Sequence, residues 1–289
     1  MPADPRYAVH AYAWTSSWSN DRLDILDHAK SFGLDAVEIP LMEIDLVDPA
    51  AIRERADAAG IGLCTSVAMP MDADPTGDEE ASRAAAVAFL RRCSELTAAM
   101  GAGLLGGVTY AAHGRMLDER PRRLHTERAA EVLRQAARDA AELGVTIAIE
   151  PCNRYEVFLV NTAAQAVELA DMIGEDNVGI HLDTYHMNIE EEDFEAPVRL
   201  AGERLVHFHL SESHRGVPGR GVVDWVAVMR ALNALDYRGL VGLEAFEDMS
   251  PAMRAATRSW RDLAPSSDEL VREGLAYLRG VQRATAVAA

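Results

Sequence analysis

Short β-rich segments alternate with longer helical segments along the whole chain, and this alternation limits the possible folds more than any other feature. Eight segments carry the β-branched and apolar residues of strands, and Ala-, Glu- and Arg-rich segments of helical period separate them. The expected strands are residues 7–12, 36–41, 61–68, 103–110, 145–151, 178–183, 205–212 and 240–246. Eight strand–helix units without an internal linker predict an α/β fold, a single (β/α)8 TIM barrel that forms one domain over residues 1–289.

Four consecutive strands in the second half of the chain each end in a potential metal ligand. TIAIEP contains Glu150, VGIHLD ends at Asp183, LVHFHL contains His209 and LVGLEAF contains Glu244. The carboxyl ends of the strands of a parallel barrel meet at one mouth, where such barrels place their chemistry. Three carboxylates at that mouth would repel one another unless a cation lay between them. A single Glu or Asp at a strand end is more often a cap or a salt-bridge partner, so the predicted metal site depends on four ligands in succession.

The fifth and eighth strands lie three positions apart in a ring of eight, so Glu150 and Glu244 are expected to face each other across the mouth. Two opposed carboxylates suit inversion at a carbon beside a carbonyl, because one can remove a proton and the other can return one from the opposite face. A divalent ion would stabilise the enediolate between the two steps. Oxygen ligands with one imidazole favour manganese, cobalt or magnesium over a closed zinc site, which usually contains Cys.

Three further polar residues follow the predicted ligands at short spacing. Glu156 lies six residues after Glu150, His186 three after Asp183 and Arg215 six after His209. These side chains could hold sugar hydroxyls near the metal. Alternatively, Glu156 and Arg215 pair with each other at the rim and His186 caps a helix. A phosphosugar is an alternative substrate, because loop 215–221 contains Gly and Arg and the backbone N–H groups of such loops can bind phosphate.

Composition and charge exclude several other classes of protein. A net charge of −18 argues against a nucleic-acid partner and against an anionic membrane surface. The start of the chain lacks a basic segment followed by an apolar one, and no apolar run approaches the roughly 18 residues of a membrane span. Cys64, Cys93 and Cys152 are odd in number and widely spaced, which suits a reducing compartment. We therefore expect a soluble, cytoplasmic protein. We also expect a small-molecule sugar substrate and a homodimer or homotetramer.

The segments IEPCNRYE, HLDTYHMNIEE, HFHLSESHRGVPGRG and LVGLEAF resemble the ketose 3-epimerases, the D-tagatose and D-allulose 3-epimerase family of xylose-isomerase-like barrels. The resemblance extends from about residue 7 to residue 280. It implies an isomerase that inverts C3 of an unphosphorylated ketose of the D-allulose/D-fructose, D-tagatose or L-ribulose type. It also implies a manganese-type ion, with cobalt or magnesium as alternatives, and an acid–base pair of glutamates. The implied metal ligands are Glu150, Asp183, His209 and Glu244, and the implied acid–base pair is Glu150 and Glu244. The residues implied to contact the substrate's O1–O3 region are Glu156, His186 and Arg215.

The resemblance is weaker at positions that face the sugar. Family members that act on free ketohexoses often carry an aromatic residue where this chain has His113, and a small apolar residue near Thr65 and Ser66. A more polar wall would fit a different sugar or a substituted one. The alternatives are a 3-oxo-glycoside epimerase or lyase, a sugar or hydroxy-acid isomerase with the same metal site, and a sugar-binding barrel without turnover. The paired Glu150 and Glu244 disfavour the last, because a binding module has no need of two opposed bases.

Overall fold

A computed structural model of the protein describes residues 5–120, 122–246 and 249–286. Within these residues, eight strands form a closed, parallel barrel in which each strand pairs with the next and the last pairs with the first. The strands are β1 (Arg6–His10), β2 (Ala36–Pro40), β3 (Gly62–Met69), β4 (Leu104–Ala112), β5 (Thr146–Ile149), β6 (Val178–Asp183), β7 (Leu205–His209) and β8 (Leu240–Leu243). The predicted (β/α)8 fold class is confirmed.

Helices follow every strand and cover the outside of the barrel. They are α1 (Asp24–Ser31), α2 (Pro49–Ala59), α3 (Glu80–Ala99), α4 (Arg123–Ala141), α5 (Ala163–Ile173), α6 (Thr184–Glu190), α7 (Ala196–Ala201), α8 (Trp225–Ala234), α9 (Pro251–Thr257) and α10 (Ser267–Ala286). The Ala-rich helix α4 illustrates the pattern, since it buries Ala129, Leu133, Ala136 and Ala140 along one face. In the described ranges no helix is long and apolar enough to cross a membrane.

Alternate residues of the strands face either the helices or the barrel interior. A small apolar cluster, separate from the main core, consists of Ala8, Ala36, Cys64 and Leu240. The valines next to two of these residues, Val9 and Val37, belong to the main core. Two residues further along β1, β2 and β3, the interior positions are polar and buried: His10, Glu38 and Ser66. The interior therefore changes from apolar to polar toward the carboxyl ends of the strands.

Several strands end earlier than the sequence predicts. β5 ends at Ile149 and β8 at Leu243, so Glu150 and Glu244 directly follow their strands, whereas Asp183 and His209 are the last residues of β6 and β7. The first predicted strand, 7–12, stops at His10 because the Nδ1 atom of His10 accepts the Tyr12 N–H at 3.2 Å and a 3-10 helix begins at Ala11. These differences leave the predicted ligands at the mouth.

Candidate active site

The carboxyl ends of the strands surround a cavity of about 230 Å³. This volume lies below the range of roughly 300–1,000 Å³ typical of drug-sized ligand sites, which favours a small substrate. Its lining combines charged residues of both signs with apolar side chains. The lining includes His10, Glu38, Met42, Ser66, His113, Glu150, Glu156, His186, His209, Arg215, Glu244, Phe246 and Met253.

The four predicted metal ligands lie close together, and three of them, Glu150, His209 and Glu244, line this cavity. The Nδ1 atom of His209 lies 3.7 Å from an Oε atom of Glu244, 3.8 Å from Oδ2 of Asp183 and 3.9 Å from Oε1 of Glu150. Ligand atoms of Glu150, Asp183 and His209 all lie within 4.8 Å of one another, which is close enough for a single ion. Local structure fixes two of them, since the Glu150 N–H donates to Gly107 O at 3.2 Å and Asp183 caps α6 by accepting the Tyr185 N–H at 2.7 Å.

His209 is held by one ring nitrogen and leaves the other facing the carboxylates. Its Nε2 atom lies 2.8 Å from Oε2 of Glu38. Its Nδ1 atom is buried and has no hydrogen-bond partner among the residues that the structure describes. A buried nitrogen without a partner is costly, and a metal ion at the centre of the cluster would satisfy it. The residues present therefore fit a divalent cation, which accepts carboxylate and imidazole ligands.

The pKa values of the three carboxylates in the cluster are shifted in different directions. Burial raises the pKa of Glu150 well above the usual value of a glutamate, and the charges of Glu244 and Asp183 act in the same direction. Burial and then the charge of Glu244 raise the pKa of Asp183 to about 7. Burial would also raise the pKa of Glu244, but Arg215 and His209 hold it well below its usual value. The pKa values of Glu150 and Glu244 are thus shifted in opposite directions, because only Glu244 lies beside a guanidinium.

Arg215 lies in the wall of the cavity beside Glu244. It is 4% exposed and forms an ion pair with Glu244. Its guanidinium stacks between aromatic rings, with the Cζ atom 4.1 Å from the ring centre of Tyr185 and 4.7 Å from that of Phe246. The rim pair of Arg215 with Glu156, one of the sequence alternatives, is therefore wrong, because Arg215 turns inward to Glu244.

Glu156 and His186 belong to one hydrogen-bonded polar row, whose members are His113, Glu156, Asn153 and His186. Asn153 donates through Nδ2 to Oε1 of Glu156 at 2.8 Å, and its backbone N–H donates to Nδ1 of His186 at 3.2 Å. His113 approaches the other oxygen of Glu156 at 3.4 Å. Although burial opposes it, His113 and the nearby positive charges lower the pKa of Glu156 to about 2. His186 lies inside α6, whose cap is Asp183, so His186 does not cap that helix.

The two polar residues noted on the third strand point in different directions. Ser66 lines the cavity, where its Oγ atom lies 3.0 Å from Nε2 of His10. Thr65 faces the helices instead, with its hydroxyl 2.7 Å from that of Thr97 on α3. The expectation of a polar wall at this point is thus met by Ser66 alone.

Glu212 organises the loop that carries Arg215. Its buried carboxylate accepts the N–H groups of Ser213 at 2.8 Å, Gly219 at 2.8 Å and Val223 at 3.2 Å, and the indole N–H of Trp225 at 3.0 Å. The Glu212 carbonyl accepts the N–H of Arg215, which adopts a left-handed backbone with φ of 58°. Sequence reasoning missed Glu212, although a charged residue inside a Gly-rich loop is the available signal.

The same loop bears on the phosphate alternative. The N–H of Gly219 is taken by Glu212, that of Gly216 donates to Nδ1 of His214 at 3.0 Å and that of Arg220 to Val217 O at 3.1 Å. These N–H groups point at protein acceptors. They are therefore not free to cradle a phosphate.

Sequence reasoning also missed a buried polar group beneath the ligands. Glu38 lies 2.7 Å from Nε2 of His207, and His181 is completely buried close to both His207 and His209. The signal was present as polar residues at alternate positions of two strands, VGIHLD and LVHFH, and as the single Glu38 within the apolar strand AVEIP. Such alternation indicates a polar barrel interior.

A parallel eight-stranded barrel with potential metal ligands at the carboxyl ends of its strands defines a class of barrel enzymes in which side chains from several strand ends share one site. The chain belongs to the xylose isomerase-like TIM barrel family, whose model matches residues 26–280.

Individual relatives narrow the resemblance within that family. An L-ribulose 3-epimerase from Mesorhizobium japonicum is 32% identical over 276 residues, which are 94% of this chain and 93% of that protein. A D-psicose 3-epimerase from Agrobacterium fabrum is 30% identical over 288 residues, 96% of this chain and 99% of that protein. The crystal structure of a D-allulose 3-epimerase from Methylomonas sp. in complex with D-allulose has a TM-score of 0.91 and 31% identity, and covers 97% of this chain and 98% of that one. The resemblance to ketose 3-epimerases is confirmed.

The replacement Glu212→Ala should destabilise the protein, because four N–H groups lose the carboxylate that accepts their hydrogen bonds. We expect a loss of at least about 3 kcal/mol of unfolding free energy, measured by urea denaturation, since an unsatisfied buried donor costs about 1–3 kcal/mol. Glu273→Ala is the matched control. Glu273 pairs with Arg220 of the same loop at a solvent-exposed position, so its loss should change stability by less than about 1 kcal/mol. Equal effects of the two replacements would contradict the role of Glu212.

Proposed function

We propose that the protein is a metal-dependent isomerase that inverts C3 of an unphosphorylated ketose of the D-allulose/D-fructose, D-tagatose or L-ribulose type. The observation that carries the proposal is the buried Nδ1 atom of His209, which faces Glu150, Asp183 and Glu244 at 3.7–3.9 Å. The names of the relatives support the reaction and the substrate class, since they are L-ribulose and D-psicose 3-epimerases. A cytoplasmic location, one domain over residues 1–289 and a homodimer or homotetramer stay predictions.

Glu150, Asp183, His209 and Glu244 would hold the ion. Manganese is the first choice and cobalt or magnesium the alternatives, because the donors are mainly oxygen atoms. When bound, the ion would stabilise the negative charge that develops on the substrate's oxygen atoms as the proton leaves C3. Its attraction for each of the three carboxylates would also offset the repulsion among them.

The two glutamates would exchange the C3 proton. One takes the proton as a carboxylate while the C3–H electron pair moves into the enediolate, and the other, as a carboxylic acid, gives a proton to the opposite face. The position of both carboxylates in the cavity lining, each within 3.9 Å of Nδ1 of His209, supports this pairing. Glu156, His186 and Arg215 would bind the O1–O3 region, and the ion pair of Arg215 with Glu244 places that guanidinium beside one of the two carboxylates.

A second candidate is a 3-oxo-glycoside epimerase, which would use the same acid–base pair on a substituted sugar. A 3-dehydro-D-guloside 4-epimerase from Escherichia coli favours it, with 34% identity over 139 residues, 46% of this chain and 53% of that protein. Proton exchange measured by NMR on ketoses and on 3-oxo-glucosides, both with added manganese, separates the two candidates.

Removal of the metal should abolish activity, and manganese or cobalt should restore it. Asp183→Asn and His209→Ala should weaken metal binding, measured by calorimetric titration. Both should also reduce the rise in melting temperature that the metal produces, since a ligand that binds only the folded state stabilises it. Asp176→Asn, a change at an exposed carboxylate, is the control and should leave both quantities as they are. Full activity in a demonstrably metal-free sample would contradict the proposal.

Epimerisation in heavy water should place deuterium at C3 of the product, because the acid that delivers the new proton has exchanged with solvent. Glu150→Gln and Glu244→Gln should each reduce epimerisation by about a thousandfold, within the range for a lost general base. The metal content of each variant, measured in parallel, separates a lost base from a lost ligand. A metal-loaded variant could still exchange the C3 proton of one epimer without inverting it. Product free of deuterium at C3 would mean a hydride shift or one shielded base.

Arg215→Ala and His186→Ala should each reduce kcat/KM by a few powers of ten, since positioning alone can supply several kcal/mol. The metal site should remain occupied at saturating metal, because the four proposed ligands are unchanged in both variants. Arg220→Ala is the control in the same loop, since Arg220 pairs with Glu273 at the surface and should not affect turnover. Unchanged kinetics of the Arg215 or His186 variant on the best substrate would remove that residue from the substrate site.

A further inference from the structure

Glu38 brings a buried carboxylate to the proposed metal centre from the opposite side of the imidazole. It lies in the middle of β2, is 0% exposed, and is 171 residues from His209 in sequence. Its Oε2 atom lies 2.7 Å from Nε2 of His207 and 2.8 Å from Nε2 of His209. An ionised carboxylate only accepts hydrogen bonds, so both Nε2 atoms must be the donors.

The backbone around His209 leaves its ring little freedom. His207 and His209 are alternate residues of β7, so both rings point into the barrel toward Glu38. His209 is opposite Gly242 in the pairing of β7 with β8, and a Cβ atom at Gly242 would lie 3.0 Å from Cδ2 of the imidazole. The ring is thus packed against backbone on one side and hydrogen-bonded at one end.

We infer that Glu38 is a positioning residue for the metal centre, which keeps the hydrogen of His209 on Nε2 and turns the Nδ1 lone pair toward Glu150, Asp183 and Glu244. The two ring nitrogens of a histidine are not equivalent, and the bond made by one decides what the other can bind. The inference rests on the proposed function, because His209 must be a ligand for its orientation to matter. It adds a residue from outside the four ligands and outside the motifs of the second half of the chain.

His207 provides the internal comparison. It shares the same carboxylate oxygen, is equally buried and is not one of the proposed ligands. If Glu38 only anchors buried histidines for stability, loss of either bond should have similar consequences. If Glu38 positions His209, only changes that disturb the Glu38–His209 bond should affect metal binding.

The test compares Glu38→Leu, Glu38→Gln and His207→Phe with the wild type. The probe is Co²⁺, added to metal-free protein, with the dissociation constant and the visible absorption spectrum as readouts and thermal unfolding as a check of folding. Glu38→Leu should weaken Co²⁺ binding about 10- to 100-fold, as is usual for loss of the carboxylate behind a metal-binding histidine, and should change the spectrum. Glu38→Gln keeps one oxygen that can accept both N–H groups, so it should lose affinity but less than Glu38→Leu. His207→Phe should keep the wild-type spectrum and affinity within about threefold, well below the loss from the Leu variant.

Two outcomes overturn the inference. One is a folded Glu38→Leu protein with wild-type Co²⁺ affinity, and the other is an equal loss in His207→Phe. If Glu38→Leu does not fold, the remaining pair decides, because Glu38→Gln must then weaken binding more than His207→Phe. His209→Ala distinguishes failure of the proposed function, since Co²⁺ binding that does not depend on His209 would remove the metal site itself.

Discussion

Three carboxylates and one imidazole lie together at the mouth of the barrel, where Glu150, Asp183 and His209 are buried and Glu244 is partly buried. The repulsion among these carboxylates is the constraint that the surrounding polar residues must offset. Buried charges are tolerated only when they are paired and hydrogen-bonded. Arg215 meets this need from the wall by pairing with Glu244, and its own position depends on the loop around Glu212 and on two aromatic rings. Beneath the cluster, Glu38 accepts hydrogen bonds from two histidines. The same crowding that destabilises the cluster without a cation prepares it to bind one.

The barrel brings this cluster together with only one residue from each of four strands. Each of β5 to β8 needs one suitable residue at or directly after its end, and parallel pairing brings the four positions to one place. This is why the sequence alone could predict the fold and the meeting of these four residues at one mouth, since each signal is local to one strand. Their role as metal ligands stays a prediction. The small errors in strand length did not matter, because Glu150 and Glu244 follow their strands directly and stay at the mouth.

Features that depend on distant or irregular segments could not be predicted in this way. The partner of Arg215 is decided by a loop with a left-handed residue at Arg215 itself, and neither periodicity nor spacing describes such a loop. Glu38 meets its partners across the barrel, and the strand AVEIP alone does not say which residues lie opposite. Thr65 and Ser66 are neighbours with similar side chains, yet strand alternation sends one to α3 and the other to the cavity.

The residues proposed for the chemistry and the rest of the cavity lining come from different parts of this fold. The residues proposed for the chemistry lie at strand ends, whereas Met42, His113, Phe246 and Met253 line the cavity from segments after the strands. Such segments can change without disturbing the barrel. His113 is more constrained than the apolar lining, because it contacts Glu156, which Asn153 links to His186. An apolar aromatic ring at position 113 could not contact Glu156 through a ring nitrogen. The histidine therefore changes both the polar row that lines the cavity and the shape of the wall. Specificity should therefore depend on this row as well as on the size of the cavity.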